Sequence, residues 1–225
     1  MIEIKNLKKK YSADFTLNIE NLKIKTGERV ALIGANGSGK STLLKLISGY
    51  IKPDSGEILI NTEKMAYLPQ DPYIFSMSVR KNVRIGLKDN KKQEENLKEI
   101  LIMTGLFNLL DKNAAKLSGG EKQRMVFARM LIDKHNLLML DEPFGAIDID
   151  FKDSLEQILS DYCIANKTTL IMATHTPAEA FNLCDKLIIM HKGEVIEYGQ
   201  CGDIIKNPKT DFGKTFLKQW RITDV

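Results

Sequence analysis

Arg29-Val30-Ala31-Leu32-Ile33-Gly34-Ala35-Asn36-Gly37-Ser38-Gly39-Lys40-Ser41-Thr42 is the stretch on which the fold turns. Its first five residues form a compact apolar run of strand length, as a buried strand does. Glycines follow at once, so the backbone can wrap tightly and turn consecutive N–H groups inward. Residues 41–47 then have helical spacing, and Gly49 can close that helix. Gly-x-x-x-x-Gly-Lys-Ser between a strand and a helix is the phosphate-loop pattern. In that pattern the helix start near Gly39 adds its positive end. Lys40 reaches the β and γ phosphates. The Ser41 hydroxyl can ligate Mg²⁺, which takes oxygen donors and keeps several waters. Four fixed positions would match by chance in about one chain in a hundred. The strand before and helix after argue further against an ordinary glycine-rich turn. The loop alone specifies a nucleoside triphosphate and does not separate a GTPase, a kinase or a motor.

Outward from the loop, the pattern is β–α alternation with one interruption. Ile2, Ile4 and Leu7 begin a short strand, and Phe15, Leu17 and Ile19 alternate with polar residues as a half-buried strand does. Thr26-Gly27-Glu28 and Pro53-Asp54-Ser55-Gly56 are turns. Residues 57–60 and 64–68 read as strands. From Asp71 the strand signals vanish until Leu137. Lys91–Met103 is a helix with Leu97, Ile100 and Leu101 on one face, and residues 120–132 form a second. Residues 137–140, 168–173 and 186–190 are strands. Helices lie between them, one marked by the stripe Phe151, Leu155, Ile158, Leu159 and Tyr162, the other Pro177–Leu183. Residues 194–198 should pair back on 186–190 across Lys192-Gly193. The expected fold is an α/β phosphate-loop NTPase with a mostly parallel sheet, an N-terminal antiparallel β portion and an inserted α-helical subdomain. Its single domain, 1–225, divides into a core of 1–70 and 135–225 and a helical insertion of 71–134.

Composition bounds the partners. The 225 residues, 43% hydrophobic, suffice for one substantial core shared by closely joined subdomains. The net charge of +4 is spread among interleaved acidic and basic residues, without the basic tail or stripe that tracks nucleic acid. Apolar runs such as 137–140 and 187–190 are far shorter than a membrane span. Glu3, Lys5 and Lys8 exclude a secretory signal at this N-terminus. Membrane association is therefore expected through a partner. Cys163, Cys184 and Cys201 form no CxxC pair and no metal spacing, and suit buried, idle thiols in a reduced cytosol. His135 and His191 are expected at the surface, and the tail with Trp220 is expected to serve packing.

Two further segments carry chemistry. Leu137-Leu138-Met139-Leu140-Asp141-Glu142 is an apolar strand ending in two carboxylates held rigidly at its tip. Asp141 can orient Mg²⁺, usually through water, and Glu142 can take a proton from attacking water. Leu117-Ser118-Gly119-Gly120-Glu121 offers bare backbone, a hydroxyl and a helix start, a second anion-binding device. Alone, it would be read as a helix N-cap by Ser118. Between a phosphate loop and an Asp-Glu strand it reads as a second phosphate site, for which one chain has no evident use.

With these segments in this order the chain resembles the ATP-binding cassette (ABC) ATPase family over essentially its whole length. Gly34 to Thr42 resembles the Walker A loop, residues 137–142 resemble Walker B and residues 117–121 resemble the signature motif. Gln70 matches the Q-loop glutamine, His175 the switch histidine and Tyr11 the aromatic that stacks on adenine. Asp148 matches the D-loop aspartate, although Gly145-Ala146-Ile147-Asp148 departs mildly from the more usual Ser-Ala-Leu-Asp.

The resemblance implies two subunits paired head to tail, as a homodimer or with a paired ABC subunit. ATP then lies between one phosphate loop and the other signature segment. Tyr11, Gly34, Asn36, Gly37, Ser38, Gly39, Lys40, Ser41 and Thr42 would hold ATP from one side. Ser118, Gly119, Gly120, Glu121 and Asp148 would face it from the other. Ser41, Gln70 and Asp141 would hold Mg²⁺. Glu142, His175, Lys40 and Gln70 would carry the hydrolysis.

The implied partners are transmembrane permease subunits, docking near residues 72–82, where Ile74, Phe75, Met77 and Val79 offer apolar surface. An extracytoplasmic solute-binding protein would belong to the same system. The implied location is peripheral, at the cytoplasmic face of the cell membrane. Asp141 to Ala146 and Ala173 to Ala180 resemble importers of small solutes or oxyanions, with an exporter ATPase as the alternative. Soluble ABC proteins of ribosomes or DNA repair usually carry two cassettes or a long coiled coil, and this chain has one phosphate loop. A plain nucleotide switch or kinase would not use the signature segment. The chain reaches Val225 about where such a cassette core ends, so no separate regulatory domain is expected.

Overall fold

A computed structural model describes residues 1–11, 15–62, 64–85, 87 and 91–219. The apolar run Arg29–Ile33 is strand β3 of a six-stranded sheet. Its companions are β5 (Met65–Leu68), β6 (Leu137–Asp141), β7 (Thr169–Ala173), β8 (Lys186–His191) and β9 (Glu194–Gln200), in the order β5-β6-β7-β3-β8-β9. The first five strands in that order run parallel, and β9 returns antiparallel to β8. Parallel strands joined by helical crossovers are covered on both faces, hence their unbroken apolar sequences. Alternate residues feed two cores. Ala31, Ile33, Leu138, Leu140, Leu170 and Met172 point into one, and Val30, Leu32, Leu137, Met139 and Ile171 into the other.

The second core is closed by a separate antiparallel sheet of β1 (Ile2–Lys10), β2 (Thr16–Ile24) and β4 (Ser55–Ile60), in the order β2-β1-β4. Helix α1 (Lys40–Ile47) lies in that core, burying Leu43, Leu44, Leu46 and Ile47. The phosphate loop therefore hangs between a buried strand and a buried helix, both anchored in one core.

The first core is closed by helices. These are α2 (Val79–Val83), α3 (Lys91–Met103), α4 (Gly119–Leu131), α5 (Ile149–Asn166), α6 (Pro177–Leu183), α7 (Cys201–Lys206) and α8 (Asp211–Gln219). Between β5 and β6 the described residues contain helices and one-turn 3-10 segments, and no strand. Helix α4 is buried almost all round, through Met125, Phe127, Ala128 and Met130. Gln123 donates to the Pro143 carbonyl at 2.7 Å, fixing α4 to the loop after β6.

Five elements escape sequence periodicity: α2, α7, α8 and the 3-10 turns Phe107–Leu109 and Ala114–Lys116. Most are too short to show a helical stripe, and local caps define some of them. Ser78 caps α2 by accepting the Lys81 N–H. Glu197 accepts the Lys209 and Thr210 N–H groups ahead of α8. The two histidines expected at the surface are partly exposed there and partly packed. His191 stacks on Phe212 with ring centroids 3.8 Å apart, and half-buried His135 donates its backbone N–H to Tyr162 Oη. The three cysteines are free and buried as expected, and burial pushes the Cys163 thiol up to about 12. Trp220 lies outside the described residues. Among those described, no helix is long and apolar enough to cross a membrane.

Candidate functional site

A cleft of about 920 Å³ opens over the phosphate loop. It is lined by Tyr11, Phe15, Asn36 to Thr42, Gln70, Glu142 and His175. The loop has little freedom to be anything else. Gly34 has φ 152°, and a Cβ there would stand 2.2 Å from the Met190 carbonyl oxygen. Gly39, at the head of α1, has φ 105°, a region open to glycine and costly for other residues. Lys40 is folded back over the loop, donating to the Gly34 and Ala35 carbonyls at 2.9 and 3.2 Å. Burial lowers its pKa, while Glu142 and Asp141 act the other way. Ser38 Oγ is buried without a hydrogen-bond partner. A buried hydroxyl left so is costly, and an anion in the loop would satisfy it.

The tip of β6 brings the carboxylates to the loop. Ser41 Oγ donates to Asp141 Oδ1 at 3.0 Å. Burial raises the Asp141 pKa, the Ser41 bond opposes that, and the neighbouring Glu142 charge adds to it. Glu142 is gripped from two sides. Gln70 Nε2 donates to Oε2 at 3.2 Å, and His175 Nδ1 lies 3.4 Å from Oε1. Three loops that follow three different strands, β5, β6 and β7, thus converge on one carboxylate.

Of the residues expected here, Tyr11, Asn36 to Thr42, Gln70, Glu142 and His175 line this cleft. Gly34 and Asp141 fall just outside the lining, Asp141 reaching it through Ser41, and the signature residues and Asp148 are not part of it. The signature residues and Asp148 cluster elsewhere on the same chain, around the start of α4. Ser118 caps α4 in a reciprocal box, accepting the Glu121 N–H at 3.2 Å while its own N–H donates to Glu121 at 2.7 Å. That bond, with Lys112 3.5 Å away, holds the Glu121 carboxyl below its usual range. Ser118 and Gly119 are exposed. Gly120 is buried against Asp148, so that a Cβ on it would stand 3.0 Å from Asp148 Oδ2.

Phe15, which the sequence places only in a strand, lines the cleft. Its ring is 6.4 Å from that of Tyr11, which is 54% exposed. The signal available was a second aromatic four residues after the first. The expected docking stretch is also revised. Val79 is fully buried and Ile74 packs against the core, while Tyr73, 72% exposed, and Phe75 stand outward. Arg129 orders this stretch, donating to the Tyr73 and Asn82 carbonyls.

The sequence profile of the family described as "ABC transporter" matches residues 17–145. The chain belongs to the ABC transporter family. It is 35% identical to the sulfate/thiosulfate import ATP-binding protein CysA of Pseudomonas syringae, over 96% of this chain and 72% of that one. It is 32% identical to the spermidine/putrescine import ATP-binding protein PotA of Bacillus thuringiensis, over 96% and 71%. Among solved structures, an ATP-binding subunit of an ABC transporter matches with TM-score 0.84 and 27% identity, over 97% of this chain and 99% of that one. A dimeric ATP-binding cassette in a post-hydrolysis state, bound to ADP and Pi, matches with TM-score 0.80 and 26% identity, over 89% and 99%. This ABC cassette is thus an ATP-binding and ATP-hydrolysing subunit that powers solute transport across a membrane.

Proposed function

We propose that this cassette hydrolyses ATP at a site shared by two subunits and thereby drives import of a small solute. The observation that carries the reading is Glu142, held between Gln70 and His175 at the edge of the phosphate-loop cleft. The triphosphate would lie along the loop from Gly34 to Thr42, with Ser38 Oγ gaining a partner. Lys40 would exchange the Gly34 and Ala35 carbonyls for phosphate oxygens. The adenine would stack on Tyr11, with Phe15 beside it. The oxygens of Ser41 and Asp141 form a hard donor set that fits Mg²⁺, with Gln70 at its edge. The ion, when bound, would neutralise charge on the phosphate oxygens.

Glu142 would accept the proton of the attacking water. His175 would orient the γ-phosphate, and Gln70 would leave Glu142 as the nucleotide arrives. Ser118, Gly119, Gly120, Glu121 and Asp148 would face the ATP held by the other subunit. The exposed hydroxyl of Ser118 supports this, since it accepts one bond in its cap and keeps its proton to donate. Closing the pair over ATP would shift a two-state equilibrium through contacts made only when closed.

The helical unit 71–134, distinct from the core of 1–70 and 135–225, would carry transmembrane permease subunits on Tyr73, Phe75 and Met77. That would hold the cassette peripherally at the cytoplasmic face of the membrane. An extracytoplasmic solute-binding protein would complete the system. The relatives named for sulfate and polyamine import support the direction of transport and the small size of the solute.

Lys40→Ala tests the placement of the phosphates. Binding of the fluorescent analogue TNP-ATP and ATP turnover should be lost together. Binding at wild-type strength would refute it.

A further inference from the structure

Behind His175, the carboxylates of Glu156 and Glu179 are buried between α5 and α6 beside the partly exposed Lys152, and the chemistry above leaves them unused. Glu179, in the first turn of α6, is 4% exposed. One of its carboxylate oxygens accepts the Thr174 hydroxyl proton, and the other pairs with Lys152 Nζ of α5 at 2.6 Å. Thr174 is itself buried. Its N–H donates to the Leu32 carbonyl at 3.1 Å, just ahead of the phosphate loop. Its Oγ1 accepts the Thr176 N–H at 3.0 Å. Glu179 therefore fixes the residues on both sides of His175. Lys152 in turn donates its backbone N–H to the Asp148 carbonyl at 3.1 Å. One turn along α5, buried Glu156 accepts Asn182 of α6 at 3.3 Å.

Stability alone does not call for this arrangement. Buried ion pairs are often no more stable than apolar packing of the same volume, while breaking one is costly. A pair of this kind is worth keeping where it imposes one geometry on a loop. We propose that Glu179 is a positioning residue. Through Thr174 it sets His175 against Glu142, and through Lys152 it locks that setting to the segment bearing Asp148. A change at Asp148 on the subunit face would then reach His175 across three side chains, those of Lys152, Glu179 and Thr174. The inference rests on the catalytic reading of Glu142 and His175 given above.

The test compares Glu179→Ala, Glu179→Gln and His175→Ala in the full chain. Glu179→Ala should lower kcat about tenfold while KM and TNP-ATP affinity stay within about twofold. Glu179→Gln keeps an acceptor for Thr174 and should fall between. If Glu179→Ala fails to fold, Glu179→Gln carries the same comparisons. Added to His175→Ala, the Glu179 substitution should cost little more, because both remove one shared contribution. With ¹³C-labelled histidine the three imidazole signals report directly. That of His175 should move in the Glu179 variants, and those of His135 and His191 should stay. An unmoved His175 signal, a loss carried by KM or nucleotide affinity, or an equal loss in both backgrounds would overturn the proposal. Normal turnover in His175→Ala would instead sink the catalytic reading, and the His175 signal would still decide whether Glu179 sets that loop.

Discussion

Glu142 adopts φ 49°, a left-handed conformation that costs a non-glycine residue about 1 kcal/mol. The strain persists because both ends of the residue are fixed. Its N–H donates to the Ala173 carbonyl at 2.9 Å, one step beyond the β6–β7 ladder. Its carboxylate is held by Gln70 and His175. The turn brings the side chain over the cleft, next to the loop that Asp141 already meets through Ser41. Glu142→Gln keeps that shape and removes only the basic oxygen. ATP binding should be unchanged, hydrolysis in single turnover should fall by about 10²–10⁴-fold, and an ATP-bound dimer should accumulate on size exclusion. Turnover near the normal rate would eliminate Glu142 as the base.

At the scale of elements, the end of the sheet away from the phosphate loop is held by Arg29 at the start of β3. Its Nε and Nη2 donate to Asp185 ahead of β8 at 3.1 and 2.7 Å, and Nη1 reaches Ser160 of α5. The Arg29 bond holds the Asp185 carboxyl below its ordinary 3.8. A depressed carboxylate stabilises the fold above its unfolded pKa, and that contribution is lost as pH falls through the folded value. Asp185 is half exposed, so solvent screening limits the gain to about 0.5–1 kcal/mol. Asp185→Asn should therefore unfold at lower urea than the wild type at pH 7, and the two curves should converge below about pH 4. A gap that stayed constant down to pH 3 would show that the ionised pair is not its source.

Sequence patterning reaches elements that carry a periodic or flanking signal and misses those set by local caps and tertiary contacts. The sequence bounds Lys91–Met103 by its apolar spacing, and Pro177–Leu183 by a proline at the helix start and its place in the β–α alternation. Helix α2 has five residues, too few for a stripe, and rests on a serine cap and on Arg129 donating to Asn82 across the core. The cleft residues could be read because a phosphate loop needs fixed residue types at fixed spacing. Phe15 has only a weak signal, its spacing from Tyr11, and Glu179 has none for its pairing, because Gly39 and Lys152 meet them only in the folded chain.

Across the whole molecule, the two segments proposed to bind phosphate, the loop and the start of α4, do not share a cleft. Lys40 sits on the floor of one, and Ser118 caps an exposed helix start outside its lining. Head-to-tail pairing would join Lys40 of one subunit to Ser118 of the other at each ATP. That arrangement can be separated from a cis site by mixing two inactive variants. Lys40→Ala disables the loop and leaves Ser118 intact. Ser118→Arg disables the signature segment and leaves Lys40 intact, so its monomer should still bind nucleotide. In a mixed dimer of the two, one site combines both defects and the other has neither. Random pairing makes half of the dimers mixed, with one sound site in two, so turnover should recover to at most about a quarter of the wild-type rate. Each variant alone should remain inactive at the same total concentration. If Lys40 and Ser118 served one ATP within a single chain, no mixture could assemble a sound site, and activity would stay at the level of the parents.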